Sequence, residues 1–279
     1  RDDGPFLPQW ENTTQFALCG TAVRDPDGKI HWVFPGYAAS TTRTVPWIGQ
    51  AGTVLLEKPG DEPKGDPFPR FGDLPLAQAV DNRIDLVARV RMLETGDLAG
   101  SLRATWRCES DPGLRSEVAR HEGKKAADFL RSRLGGIGPA FLIRDESATV
   151  DSTGVAYACS LQATGLIQKA GKRLLVDLGP FRVDDFSFPE QPREFKVRFR
   201  YPKILTSRVV LVPPDGFVLE SCGTDSFSTD FLNYRCSGAV SGGEIVRRRE
   251  VELLYSDFIP AGADTLRHLF RSIRDVDAT

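Results

Sequence analysis

Three histidines and five cysteines are the residues best suited to do chemistry in this chain. His31, His121 and His268 stand apart from one another. None has a second His or Cys at ligand spacing, so no zinc or other metal site is expected. Cys19, Cys108, Cys159, Cys222 and Cys236 contain no CxxC pair, which argues against metal binding and thioredoxin-like redox chemistry. A nucleophilic thiol needs a base within hydrogen-bond reach and a third group to orient that base. Only Cys19 has a histidine on a neighbouring expected strand, His31. Cys19 lies within a strand, away from any helix N-terminus that would favour its thiolate. The two read as structural residues. Gly135, Gly136 and Gly138 follow a helix where a phosphate loop would precede one, so they read as its stop. No cofactor is expected.

The other use of cysteine is cross-linking. Cys222 and Cys236 flank a Gly/Ser/Asp-rich stretch, 223–230. A bridge there would close a loop of about 15 residues and stabilise by ~3 kcal/mol. Cys108 and Cys159 lie on strands that could be neighbours, which makes them a second candidate pair and leaves Cys19 over. Bridges of this kind belong to an oxidising compartment.

The elements that must position these residues are short. Nineteen Pro and 26 Gly are scattered along the chain, as in a protein of many strands and turns. The run QFALCGTAV at 15–23 reads as a buried strand, Asp25-Pro26-Asp27-Gly28 as a turn, and KIHWVF at 29–34 as the returning strand. A third strand, TVLLE at 53–57, precedes a Pro- and charge-rich stretch. Residues 83–93 and 98–108 alternate apolar and polar positions, the period of a half-buried strand. A single helix is expected over about 113–134. Further strands are expected at 147–150, 154–163, 173–178, 193–201, 207–212, 217–221, 233–237 and 243–255. In the last of these, Ile245, Arg247, Arg249 and Val251 share one face, and Val246, Arg248, Glu250 and Glu252 the other. The Arg247–Arg249 run reads as a solvated face. An amphipathic terminal helix carries Leu266, Leu269, Phe270 and Ile273 on one side.

Composition excludes some partners. A formal net charge of -2 over 279 residues removes the electrostatic case for nucleic acid. No apolar run is long enough to form a transmembrane segment. The chain opens at Arg1, its only methionine is Met92, and it is expected to continue upstream.

The first sixty residues resemble the C-terminal half of a transglutaminase-like core. More narrowly they resemble bacterial proteins in which that papain-type core lies between β-rich domains. The resemblance rests on the strand, the turn, the aromatic strand and its proline, and on the loop Trp47-Ile48-Gly49-Gln50-Ala51-Gly52. In the family a His stands in a segment like F-N-H-V and an Asp in W-L-D-P-T. Here Phe16-Ala17-Leu18-Cys19 and Trp32-Val33-Phe34-Pro35-Gly36 take those places. The resemblance therefore implies that Leu18 and Phe34 replace the catalytic His and Asp. Leu cannot accept a proton and Phe cannot orient an imidazole, so no enzyme of this type is expected.

The fold expected is mainly β, with few helices. Residues 1–60 form the partial, degenerate core and 61–77 a linker. Residues 78–182 form a β-rich domain with one helix, and 186–279 a sandwich-like β domain with a terminal helix. The function expected is non-catalytic: an interaction or scaffold subunit of a larger extracytoplasmic (periplasmic) assembly, with other protein subunits as partners. Trp10, Trp47, Phe227, Phe231 and Tyr234 are its candidate contacts. One alternative is a transglutaminase-like or cysteine-peptidase-type enzyme whose nucleophile lies upstream. The other is a carbohydrate- or peptide-binding β-module. A scaffold should show a broad apolar patch, and a carbohydrate or peptide binder an exposed aromatic strip.

Overall fold

A computed structural model describes residues 18–37, 45–49, 53–55, 71–135, 137–138, 140–183, 197–199, 201–222, 224–254, 257–258 and 263–277. Near the start, β1 (Thr21–Arg24) and β2 (Ile30–Val33) form a hairpin, and β3 (Thr53–Leu55) pairs with β4 (Phe71–Asp73). Thus part of the expected linker returns as a strand. In the hairpin turn Gly28 has φ 85°, and Asp25 Oδ1 accepts from the Lys29 N–H at 2.8 Å.

The main body begins with β5 (Asn82–Met92) and β6 (Leu98–Cys108), followed by helices α1 (Pro112–Arg120) and α2 (Lys124–Arg131). Next come β7 (Phe141–Val150), β8 (Val155–Ala163), and the small pair β9 (Ile167–Ala170) and β10 (Arg173–Val176). Then follow β11 (Val197–Arg198), β12 (Lys203–Val212), β13 (Asp225–Ser228), β14 (Leu232–Ser241), β15 (Glu244–Leu253) and β16 (Asp257–Phe258). Helix α3 (Ala263–Asp277) closes the described chain.

Eight strands make one mixed sheet in the order β13-β14-β15-β12-β5-β6-β8-β7. All its pairings are antiparallel except β12 with β5, which is parallel. The fold is mainly β, as expected. Segments 78–182 and 186–279, expected as separate domains, instead give four strands each to this one sheet and share one apolar core. The second layer is helical, not a second large sheet. The parallel register is pinned at its start by Asn82, which is fully buried. Its Nδ2 donates to the Pro202 carbonyl at 3.0 Å, and its Oδ1 accepts from the Ser110 N–H at 3.0 Å.

Alternation decides what faces inward. Tyr234, Val251, Leu205, Ile84 and Trp106 run across neighbouring strands as one buried row. Leu114, Ala127 and Leu130 of α1 and α2, with Leu266, Phe270 and Ile273 of α3, belong to the same core. The single helix expected over 113–134 is two helices. The chain breaks at extended His121 and at Gly123, whose φ of 52° suits glycine alone. Residues 217–221, expected as a strand, lie in none, and Val218 is 84% exposed.

The same alternation brings two arginines inward. Arg247 and Arg249, expected to be solvated, are 7% and 4% exposed. They meet the C-terminal end of α3. Arg247 donates to the carbonyls of Val276 and Asp277 at 3.3 and 3.2 Å, satisfying helix-end acceptors. Arg249 Nε lies 3.0 and 2.9 Å from the two Asp277 carboxylate oxygens, and the Tyr234 hydroxyl donates to Oδ1 at 3.1 Å. Burial, reinforced by that carboxylate, pushes the Tyr234 phenol well above its usual pKa, so it stays a donor. Asp277→Asn keeps the side chain's shape but leaves two buried guanidiniums undercompensated, at a cost of about 3–5 kcal/mol. Equilibrium denaturation in urea should show that loss. A cost below ~1 kcal/mol would mean that the cluster is solvated.

Candidate functional site

The opposite face of the sheet is arginine-rich, with Val210 and Val246 paired across β12 and β15 and buried among the polar side chains. On β5 it presents Arg83, Asp85, Val87, Arg89 and Arg91, and on β6 Arg103 and Arg107. Cross-strand register then builds a central row: Ser237, Arg248, Arg208, Val87, Arg103 and Ala158, one from each of six consecutive strands. Arg208 stands directly opposite Arg248, about 5 Å away at strand spacing, and Arg103 lies two strands further on.

The rows on either side neutralise themselves. Asp85 accepts from Arg83 at 2.7 Å, Arg107 at 2.6 Å and the Thr206 hydroxyl at 2.5 Å. Partial burial raises its pKa, but the Thr206 hydroxyl and the two guanidiniums outweigh that and hold it below the usual carboxylate range. Arg89 is occupied by Glu244 through both terminal nitrogens. Arg103, Arg208 and Arg248 are exposed and have no carboxylate partner among the described residues.

Beside Arg103 the face sinks into an open hollow of about 440 Å³. Its floor is small because Ser101, Ala158 and Ser160 meet there, with Ser101 directly opposite Ser160. Asp145 stands on its rim with φ 52°, at the bulge where the β7–β8 register shifts between Arg144 and Ser147. Its neighbour Glu146 is held by Arg131 at 2.7 and 2.8 Å and by the Tyr157 hydroxyl at 2.8 Å. A second hollow of about 240 Å³, beside the end of α3, sets Arg182 and Arg274 against Asp177 and Asp277 and offers no net charge.

The residues singled out from the sequence fall elsewhere. Leu18 and Phe34 come together in a small apolar cluster with Val45 and Leu74. Cys19 precedes a strand whose Val23 pairs with His31, so four residues, about 13 Å, separate it from that histidine's level. His31 instead lies 2.9 Å from Asp25, whose pKa it lowers chiefly by that hydrogen bond. Cys108 and Cys159 do sit on neighbouring strands. But Cys159 faces Leu102, and Cys108 lies six residues (about 20 Å) further along, far beyond the ~7 Å Cα reach of a disulfide. That candidate pair is corrected. Cys222 and Cys236 come near each other without a bond.

Phe227 stacks on buried Tyr234 at 5.2 Å, and Phe231 packs on the same core. Of these three aromatics, Tyr234 is buried in the core, while Phe227 and Phe231 are half-buried against it. Trp47 opens a short 3-10 turn, and Trp10 lies outside the described residues. The open face of the eight strands carries no aromatic residue among the described residues, and its apolar side chains, Val87, Val210 and Val246 among them, are interspersed with the arginines. Among the described residues no cluster of three His, Cys, Asp or Glu is placed to hold a metal. No described helix is long and apolar enough to cross a membrane.

The arginine row was hidden from sequence reading because it depends on the non-local β5–β12 pairing. The β12–β15 register sets Arg208 opposite Arg248, and Arg103 joins them only through the β5–β12 and β5–β6 pairings. No protein-family model matches the chain, and no curated protein matches it in sequence.

Burial pushes the Cys108 thiol up to about 12 and raises those of Cys159 and Cys222. At pH 8 only about one Cys108 in ten thousand is a thiolate. Iodoacetamide on the native protein should therefore label exposed Cys19 first and leave Cys108 and Cys236 until unfolding, as read by peptide mass spectrometry. Equal labelling of Cys19 and Cys108 would contradict this burial.

Proposed function

We propose that the chain is a non-catalytic interaction module, a subunit of a larger extracytoplasmic assembly. It holds an acidic segment of a partner protein along the open face of its eight-stranded sheet. The observation that carries this reading is the Arg248–Arg208 cross-strand pair with Arg103 in the same row. Like charges directly opposite each other destabilise a sheet. Guanidiniums bind carboxylates in planar, two-pronged fashion, and carboxylates laid between them relieve the repulsion. Of the flanking carboxylates, Asp85 and Glu244 are already engaged, and Glu250, two residues along β15 from Arg248, stands opposite Arg235 of β14.

The reading keeps the likeness of residues 1–60 to a degenerate transglutaminase-like core, with Leu18 and Phe34, which pack together, at the places of the catalytic His and Asp. In a catalytic relative the corresponding positions would hold a polar pair.

The test is binding of fluorescent poly-L-glutamate to the wild type and to the triple variant Arg103→Glu, Arg208→Glu, Arg248→Glu. Three exposed ion pairs at ~0.2–1 kcal/mol each predict a loss of roughly 3- to 160-fold, and wild-type binding that weakens with salt. Equal affinities, with circular dichroism showing both folded, would overturn the reading. Tighter binding of a single-stranded oligonucleotide than of poly-L-glutamate would replace the protein partner with nucleic acid.

A further inference from the structure

Cys222 and Cys236 are set into the sheet in a way that the short spacing between them in sequence does not require. Cys236 lies on the covered face of β14 and is 1% exposed. Gly238 follows two residues on, on the same face, about 7 Å away at strand rise. The Cys222 side chain fills the place where a Gly238 side chain would stand. Its Sγ and Cβ lie 2.1 and 2.3 Å from that position, so any larger residue at 238 would expel it. Cys222 is therefore held over β14, on the same side as Cys236 and one side-chain position along. It ends a loop, 213–222, that belongs to no strand and carries exposed Phe217 and Val218. A small movement of that loop brings the two sulfurs into bonding range. Burial raises the Cys222 thiol pKa, and the nearby Arg247 guanidinium only partly offsets that.

We propose that Cys222 and Cys236 are a redox-closable pair, converted by a small disulfide such as oxidised glutathione into an intramolecular bridge. That bridge staples the 213–222 loop and the edge strand β13 to β14. The half-exposed Cys222 reacts first. Its thiolate, having released a proton to water, attacks one glutathione sulfur; the glutathione S–S bond breaks and one glutathione thiolate leaves. The Cys236 thiolate then attacks Cys222 Sγ in the mixed disulfide and displaces the second glutathione thiolate. Two protein thiols are oxidised, and one glutathione disulfide is reduced to two thiols. Because β13, among the described strands, pairs only with β14 at the edge of the sheet, the bridge fixes a strand otherwise held there by four residue pairs.

The experiment incubates the whole chain in oxidised glutathione, quenches with an alkylating reagent in denaturant, and maps peptides without reduction. The expected product is a monomer two hydrogens lighter, with the Cys222 and Cys236 peptides linked. It should resist proteolysis in 213–231 at least tenfold better than the reduced form. Cys222→Ser should lose both the link and the protection while melting at the temperature of the reduced wild type. Recovery of both cysteines alkylated would overturn the proposal. So would Cys222 trapped as a stable glutathione adduct or joined to Cys19. If Cys222→Ser melts well below reduced wild type, the thiol is a packing residue, and the proposal fails unless the linked peptide is present in wild type.

Discussion

The parallel pairing of β5 with β12 is the contact on which the rest depends. It joins two antiparallel four-stranded runs, one from each half of the main body, into a single sheet. Its register sets Leu205 beside Ile84, Val209 beside Ala88 and Leu211 beside Val90, so the apolar rows of both halves become one core. Because side chains alternate, a slip of one residue would send Arg208 into that core and Val209 to solvent. Asn82 guards against the slip. Its buried amide ties the start of β5 to Pro202 just before β12 and to the turn before α1, and an unsatisfied buried amide is costly.

One residue type then does two opposite jobs on the two faces of this sheet. Arg247 and Arg249 are drawn inside because α3 ends over them, and its terminal carbonyls and the Asp277 carboxylate compensate their charge. Arg208 and Arg248 point the other way and face one another across a strand gap. The inner pair fixes the helix to the sheet. The outer row has no such partner among the described residues, and the binding role is proposed for it.

Much of the strand pattern was legible locally. The 98–108 strand and the β5 strand follow directly from period-two alternation, and the terminal helix from Leu266, Phe270 and Ile273. The split of the first helix turned on one backbone position, Gly123, within a pattern that otherwise looks continuous. Even the opposite orientation of Arg247 and Arg248 was visible in the alternation of β15. What charge type alone could not reveal was which of those faces is covered, since that depends on where α3 docks. The arginine row was less accessible still. It needs residues more than a hundred positions apart to share a row, which no local pattern encodes.

The most direct measurement is a map of arginine reactivity toward a dicarbonyl reagent such as phenylglyoxal, with and without bound poly-L-glutamate. The account predicts that Arg103, Arg208 and Arg248 are modified in the free chain and protected together in the complex, while Arg247 and Arg249 stay unmodified in both. Ready modification of Arg247 and Arg249, or protection that spares the 103–208–248 row, would contradict it.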